Sequence, residues 1–149
     1  MNETQIQIWY EQYKTGIYRY ILSMTRDPAL AEDVLQDTFV KLLTGRARFA
    51  PGKEQAWFYK TARNRCLDIL KHRDSQPQLP PPSPEEPRWE FVELLAPLQD
   101  RDRELVALKI LGGFTHREIA AITGTTVHAA KKRYERAIQK LREEMEVTP

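Results

Sequence analysis

The side chains with the clearest chemical use are aromatic rings set among basic groups between residues 46 and 71. An exposed ring can stack on an unpaired base while neighbouring cations bind phosphates, so this combination is typical of single-stranded nucleic-acid binding. The alternative is that Trp57 covers the core and that the cations only solvate a helix, and the local pattern favours neither. The candidate residues are Arg46, Arg48, Phe49, Trp57, Lys60, Arg63, Asn64 and Lys71.

Patterns for catalysis or metal binding are weaker. The three histidines, His72, His116 and His128, are scattered and lack a second Cys or His at metal-ligand spacing, so we predict neither a metal site nor a cofactor. Cys66 is the only cysteine, which excludes an intramolecular disulfide and suits a reducing cytoplasm. No apolar run approaches the roughly 20 residues of a membrane span, and the N-terminus is unlike a secretory signal. We therefore expect a cytoplasmic protein without membrane insertion.

Charge is distributed unevenly along the chain. The formal net charge of the 149 residues is +2, but residues 27–40 carry −4 and residues 41–73 carry +7. A basic block that also contains aromatic residues is the electrostatic pattern of nucleic-acid binding. With 41% hydrophobic residues, the chain can bury one medium core or two small ones.

The elements that position these residues are predicted to be helices. Residues 74–90 hold six of the ten prolines and a net negative charge, so we expect an extended linker there. The prediction is an all-α protein of two small helical domains, residues 1–73 and 91–149, joined by this Pro-rich linker. The opening segment of the first domain has helical spacing and forms one helix or two, with Gly16 as the point of a break.

Residues 27–43 form the best delimited helix. Asp27 provides an N-cap oxygen, and Pro28 already has a helical φ. One side is an apolar stripe made of Ala31, Val34, Leu35, Thr38, Phe39 and Leu42. The opposite side carries Asp33, Gln36, Asp37 and Val40. By itself this polar side favours a solvated surface over a binding site, because the outer sides of helices are usually polar.

A loop over residues 44–53 precedes the next predicted helix, residues 54–72. The loop has two glycines, one proline and no period, and it contains Arg46, Arg48 and Phe49. The helix again divides into two sides. The predicted core side consists of Phe58, Tyr59, Ala62, Cys66, Ile69 and Leu70, and the outer side consists of Trp57, Lys60, Asn64, Leu67 and Lys71 with Arg63 beside them.

The second domain has the pattern of a helix-turn-helix. We predict Asp100 as the N-cap of a helix that ends at Gly112-Gly113, then a capping box from Thr115 to Glu118, a turn at Gly124 and a last helix from Thr126. Its predicted core side is Val127, Ala130, Tyr134, Ala137, Ile138 and Leu141. The outer and flanking candidates are Thr126, His128, Ala129, Lys131, Lys132, Arg133 and Arg136. This arrangement favours DNA binding, although similar hairpins also serve as scaffolds.

Three motifs in this order resemble the extracytoplasmic-function (ECF) subfamily of bacterial RNA polymerase σ70-type factors, and together they cover nearly the whole chain outside the linker. The motifs are Ala31-Glu32-Asp33-x-x-Gln36-Asp37-x-Phe39, then Ala56-Trp57-x-x-x-x-Ala62-Arg63-Asn64-x-x-x-Asp68, then Gly113-Phe114-Thr115-x-x-Glu118-Ile119-Ala120 with Lys131-x-Arg133-x-x-Arg136-Ala137. In that family the first motif docks on a basic coiled coil of the largest core subunit. The second recognises and opens the downstream promoter element, and the third reads the upstream element.

The resemblance implies a σ factor that carries core RNA polymerase to specific promoters and assists DNA melting, without chemistry of its own. It implies that Asp33, Gln36, Asp37 and Val40 bind core RNA polymerase. It implies core polymerase and promoter DNA as partners, and an anti-σ factor as a further partner to consider, since many family members are held by one. Two alternatives remain at this stage. One is a DNA-binding regulator that never contacts polymerase, and the other is a nuclease, for which the sequence offers no convincing carboxylate or histidine cluster.

Several positions depart from the family pattern. Phe58 replaces the usual Leu after the Trp, which we interpret as a change in core packing. Thr123 and Thr125 replace apolar residues, and His128-Ala129 replaces a Gly-Thr pair. We expect a weaker core in the second domain and an unusual base preference.

Overall fold

The computed structural model describes the backbone of residues 2–72 and 88–147, and side chains over 2–72 and 90–146. The described residues form helices and no strands, and they divide into two units, Met1–Pro81 and Pro82–Pro149. The predicted all-α class with two helical units is confirmed. The helices are α1 (Glu3–Thr25), α2 (Pro28–Leu43), α3 (Glu54–His72), α4 (Arg88–Leu95), α5 (Asp100–Gly112), α6 (His116–Thr123) and α7 (Val127–Val147).

The first unit begins with two helices joined by a sharp corner. α1 is continuous through Gly16, so the break considered there does not occur. It ends where Arg26 takes a left-handed conformation (φ 55°) and its N–H donates to the Leu22 carbonyl. The Asp27 side chain then accepts from the Leu30 N–H at 3.1 Å, and Pro28 opens α2, which confirms the predicted start of that helix.

The core of the first unit lies between α1, α2 and α3. Every residue of the predicted α2 stripe is buried, and α3 has the predicted bounds with Phe58, Tyr59, Ala62 and Cys66 buried. Leu70 is 38% exposed, so its assignment to the core side was wrong. It lies in the last turn of α3, where a residue on the inner side has few neighbours left to cover it.

The second unit starts earlier than predicted. α4 begins at Arg88, so residues 88–90, assigned to the linker, are helical. The predicted extended character of residues 74–87 lies outside the described part of the chain. Asp100 is the first residue of α5 rather than its N-cap, which is Gln99 without a side-chain cap bond. The Asp100 carboxylate instead accepts from Arg103, whose guanidinium also donates to the carbonyls of Leu95, Ala96 and Leu98 and so satisfies the end of α4.

The helix-turn-helix signals are confirmed. Gly113 ends α5 in a left-handed conformation (φ 65°), and the Thr115 capping box with Glu118 opens α6. A Cβ on Gly112 would come within 2.2 Å of the buried Phe114 ring, so only glycine permits this close approach. Gly124 (φ 72°) makes the turn, and Thr126 accepts from the Ala129 N–H at the start of α7.

Burial on α7 follows the prediction at the centre of the helix and departs from it at the first residue. Ala130 and Ala137 are fully buried, whereas Val127 is 43% exposed and was wrongly assigned to the core. Thr123 and Thr125, which depart from the family pattern, are both half-buried. The Thr123 hydroxyl donates to the Ile119 carbonyl at 2.8 Å. Among the described residues, no helix is long and apolar enough to cross a membrane.

Candidate functional site

The acidic face of α2, meaning Asp33, Gln36, Asp37 and Val40, lies opposite the buried stripe of that helix. Asp33 and Gln36 are exposed, and Val40 is 52% exposed. Asp37 is different, because its side chain is only 35% exposed. The helical period thus predicts the face, but one of its four residues is covered by a neighbouring element.

That neighbour is Arg65 of α3, which no motif in the sequence singles out. Its Nε donates to Asp37 Oδ2 at 2.8 Å, and its Nη1 donates to Asp68 Oδ2 at 3.3 Å. The hydrogen bond to Asp37 raises the pKa of the guanidinium, and the nearby carboxylates of Asp68 and Asp33 act in the same direction. Two side chains so far apart along the chain give no sequence signal of contact, since the pairing depends on how α2 and α3 pack.

An aromatic cluster, defined as Trp9, Phe49, Trp57 and Phe58, joins α1, the 44–53 loop and α3. The Trp57 ring centroid lies 5.7 Å from that of Phe49 and 5.4 Å from that of Phe58, and Trp9 contacts Phe49 at 5.8 Å. Trp57 is half-buried. Trp57 therefore does not project freely among the lysines on the outer side of α3. The alternative, that Trp57 covers the core, holds for the buried part of this side chain.

The 44–53 loop is fixed at both ends and presents its arginines outward. The Arg46 N–H donates to the Lys41 carbonyl, and Pro51-Gly52 forms a turn closed by the Lys53 N–H on the Ala50 carbonyl. Between these ends Ala47 is buried and Phe49 half-buried, while Arg46 and Arg48 are exposed. An extended chain alternates its sides, so this spacing directs both arginines away from the unit.

The outer side of α3 continues this basic surface. Lys60, Asn64 and Lys71 are exposed and Arg63 is half-buried, as befits a residue beside the outer stripe. Leu67, which lies on the same stripe, is 43% exposed. The loop arginines and the α3 cations belong to the first unit, whereas the helix-turn-helix candidates on α7 belong to the second unit.

The basic face of α7, meaning His128, Lys131 and Lys132 near its N-terminus, is exposed. Thr126 is also exposed and caps the helix, while Ala129 and Arg133 are half-buried. A helix that presents cations at its N-terminal end has the form required to enter a major groove.

Arg136 differs from these residues because it is bound to α5. Its Nη2 donates to Asp102 Oδ1 at 3.0 Å and its Nε to Oδ2 at 3.4 Å. Asp102 is a buried carboxylate with an 8% exposed side chain, whereas the Arg136 side chain is 65% exposed. This bond raises the pKa of the Arg136 guanidinium. The outward orientation predicted for Arg136 is thus combined with a fixed attachment to the next helix.

Residues 2–72 and 88–147 contain no group of three His, Cys, Asp or Glu side chains that could hold a metal ion. The surfaces of α2, α3 and α7 described above consist mainly of cations, aromatic rings and carboxylates.

Comparison with protein families matches both units separately. The model for "Sigma-70 region 2" matches residues 9–76, and the model for "Sigma-70, region 4" matches residues 88–141. The first match spans the acidic face of α2 and the basic surface of α3, and the second spans the helix-turn-helix.

Relatives and solved structures agree. The chain is 30% identical over 148 residues to the RNA polymerase sigma factor CarQ of Myxococcus xanthus, covering 90% of this chain and 85% of CarQ. It is 38% identical over 65 residues to the ECF RNA polymerase sigma factor SigM of Bacillus subtilis, covering 43% of this chain and 40% of SigM. The sigma factor RpoE of Bartonella quintana, solved in complex with the anti-sigma factor NepR, has the same fold, with a TM-score of 0.75 at 21% identity and coverage of 97% and 99%.

The family models, the similarity to CarQ over 90% of this chain and the shared fold point to one conclusion. Members of this family are regulatory DNA-binding subunits of RNA polymerase rather than catalysts. The chain belongs to the ECF subfamily of the σ70 family, whose members direct promoter-specific transcription initiation by RNA polymerase.

Proposed function

We propose that the acidic face of α2 docks on core RNA polymerase, that the basic surface of α3 and its loop assists promoter melting, and that α7 reads the upstream promoter element. The observation that supports this division is that the candidate contact residues on α2, α3 and α7 lie largely on the solvent side of these helices, opposite buried residues of the same helix. The roles of individual residues follow from their charge, reach and attachment.

For core docking, the acidic face combines carboxylates with an apolar centre. Asp33 and Asp37 complement a basic partner, and charge complementarity of this kind guides both encounter and register. Val40 is 52% exposed beside them and provides apolar contact area. A basic coiled coil, the partner implied by the family resemblance, has the matching chemistry.

For melting, the loop and α3 supply cations around a partly open ring. Arg46 and Arg48 face away from the unit and can bind backbone phosphates, and Lys60 can do so from the next turn of α3. The exposed part of Trp57 offers a stacking surface, while its buried edge rests on Phe49 and Phe58. Because extruding a base costs a few kcal/mol, a rigidly supported ring is better suited to recover that cost than a mobile one.

For reading the upstream element, we assign His128 and Lys132 to base edges and Lys131 and Arg133 to phosphates. Base contacts discriminate between sequences, whereas phosphate contacts bind all sequences alike. Arg136 has a different proposed role. Its bond to the buried Asp102 carboxylate anchors α7 to α5. Arg136 therefore orients the basic face of α7 and does not itself contact bases.

An anti-σ partner is also proposed. Its support is the family resemblance and the similarity in fold to the Bartonella quintana sigma factor, which was solved with the anti-sigma factor NepR. Co-purification of the tagged chain from its own cells with a single small partner that blocks core binding would support this; transcription at full rate in the presence of every co-purifying protein would contradict it.

The decisive experiment is reconstituted transcription with the full chain and core RNA polymerase on a library of promoter fragments. The proposal requires that transcripts start from a subset of fragments sharing two elements, and that thymines near the start become reactive to permanganate. DNA binding without association with core enzyme would identify a regulator outside the polymerase. Metal-dependent cleavage of labelled DNA by the chain alone would identify a nuclease.

A further inference from the structure

Arg65 occupies a position between two proposed surfaces. It belongs to α3, yet its guanidinium reaches α2 and hydrogen-bonds Asp37, one of the four residues of the acidic face. The same guanidinium is held from its other side by Asp68, one turn further along α3. The side chains of Arg65 and Asp37 are 39% and 35% exposed, so the pair lies at the margin of the surface and remains accessible to a partner.

The bond has a definite geometric effect on Asp37. An aspartate on an exposed helix face can adopt several rotamers, and binding must select one of them. A donor from another helix selects it in advance, which reduces the entropy lost when the partner docks. The Arg65 planar fork suits this purpose, because two of its nitrogens bond two carboxylates at once and so fix its own orientation.

The charges around Arg65 argue against simple neutralisation of the acidic face. Asp37 and Asp68 both accept from the guanidinium, and Asp33 is close enough to act on it electrostatically. Three carboxylates around one cation leave a net negative surface. The attraction toward a basic partner is therefore retained while one carboxylate is fixed in orientation.

We propose that Arg65 is a positioning residue for polymerase binding, which holds the Asp37 carboxylate in its docking orientation while Asp68 holds the Arg65 guanidinium. This inference rests on the proposed docking role of the acidic face and goes beyond it by naming the residue on which that face depends. Arg65 need not itself contact the polymerase.

A double-mutant cycle tests the proposal. The variants Arg65→Gln, Asp37→Asn and the combination are compared with wild type for their dissociation constant with core RNA polymerase, using the fluorescently labelled full chain. We expect Arg65→Gln to weaken core binding by about two- to fivefold, the range typical of part-exposed ion pairs, and to add nothing in the Asp37→Asn background. An equal effect in both backgrounds, or tighter binding by Arg65→Gln, would overturn the proposal.

Two further variants separate position from charge. Arg65→Lys keeps the charge but lacks the fork that bonds two carboxylates, so it should remain weakened; full recovery of affinity would mean that charge alone matters and would refute positioning. Asp68→Asn leaves Arg65 in place but removes the charge from its second support, and a smaller loss in the same direction is expected. This second route keeps the test valid if Arg65→Gln unfolds.

The matched control is Lys14→Gln. Lys14 is another partly exposed cation of the first unit, with a 37% exposed side chain paired to Glu11 at 3.0 Å, and it does not touch the acidic face. It should leave core affinity unchanged. If Asp37→Asn fails to weaken binding, the docking role proposed for Asp37 is wrong. If Asp37→Asn weakens binding but Arg65→Gln behaves like Lys14→Gln, only the positioning role is wrong.

Discussion

Three of the proposed contact residues of the first unit are built into its packing, whereas most of those on α7 are not. Trp57 rests on two other rings, Phe49 lies between two tryptophans, and Asp37 is bonded to another helix. His128 and Lys132 are exposed on the outer side of α7. Substitutions at Trp57, Phe49 or Asp37 will therefore change packing and contact together, while substitutions of His128 or Lys132 can test a contact by itself.

One arginine-aspartate pair in each unit makes the comparison more specific. In the first unit the aspartate is the proposed contact residue and Arg65 supports it, with both side chains partly exposed. In the second unit Arg136 lies on α7, the helix that carries the proposed DNA contacts, and the side chain of its partner Asp102 is only 8% exposed. In the roles proposed above, the same chemical pair orients a carboxylate for a protein partner in one case and a whole helix for DNA in the other.

The largest effect is expected from charge reversal on the acidic face. Asp37→Arg places like charge against a basic partner and beside Arg65, so the affinity for core enzyme should fall more than about a hundredfold. Asp33→Arg should lower the affinity for core enzyme nearly as much, and it disturbs no interhelical hydrogen bond. The dissociation constant with core enzyme measures both, and thermal unfolding separates loss of contact from loss of fold.

Gln12→Arg is the control, since it introduces the same guanidinium group at an exposed position of another helix, α1. The assignment of the acidic face fails if Asp33→Arg and Asp37→Arg both bind core enzyme with wild-type affinity. A loss confined to Asp37→Arg, accompanied by a lower melting temperature, would mean that the interhelical bond rather than the face is required.

The second prediction divides Trp57 from Lys60. Trp57→Ala removes ring contacts as well as a stacking surface, so the free energy of unfolding should fall by about 1–3 kcal/mol and open-complex formation should fall with it. Lys60→Ala removes one exposed cation, and it should reduce open-complex formation without a change in melting temperature. Permanganate reactivity of promoter thymines and thermal unfolding are the two measurements.

Lys14→Ala is a useful control, because it removes a partly exposed cation of α1 and leaves the loop, α3 and the ring contacts of Trp57 unchanged. Normal permanganate reactivity in the Trp57→Ala and Lys60→Ala double variant would show that this surface takes no part in melting.

The sequence was sufficient for the features that depend on neighbours along the chain. The Asp27-Pro28 start of α2, the Thr115 capping box and the left-handed turn at Gly124 all follow from bonds within four residues. The sides of α2 were equally predictable, because its long buried stripe has a clear helical period. Local chemistry fixes these features whatever the helix later packs against.

Features that depend on another helix were not predictable in the same way. The interhelical bonds of Arg65 and Asp102 were not predicted. A helical period shows on which side of its own helix a residue lies, but it does not show which residue of another helix packs against it. Val127 and Leu70 were placed in the core by their period, but each lies in a terminal turn where coverage ends. The early start of α4 was missed because the prolines before it dominated the composition of residues 74–90.

The third prediction compares Arg136 with Lys132. Arg136→Ala leaves the buried Asp102 carboxylate without its cation, so the melting temperature should fall and all promoter fragments should be used less, with their ranking unchanged. Lys132→Ala should keep the melting temperature and change the ranking, with discrimination altered by about fivefold or more. Transcription from a randomised upstream element gives the ranking. A changed ranking with Arg136→Ala would mean that this guanidinium leaves Asp102 to contact bases.

The smallest effect is expected from Lys131→Ala, and it is also the clearest test of a purely electrostatic contact. Lys131 is exposed and lies one position before the proposed base reader, where its side chain can reach a phosphate beside the groove. Each phosphate contact releases counterions on binding, so its loss should make the negative slope of log affinity against log salt shallower by about 0.9. Affinity should fall for every fragment alike, and the loss should shrink as salt rises. Gln139→Ala, an exposed neutral position further along α7, should leave the slope unchanged. If Lys131→Ala instead changes the ranking of fragments at a constant salt slope, this lysine reads bases, and the proposed boundary between phosphate and base contacts on α7 is drawn in the wrong place.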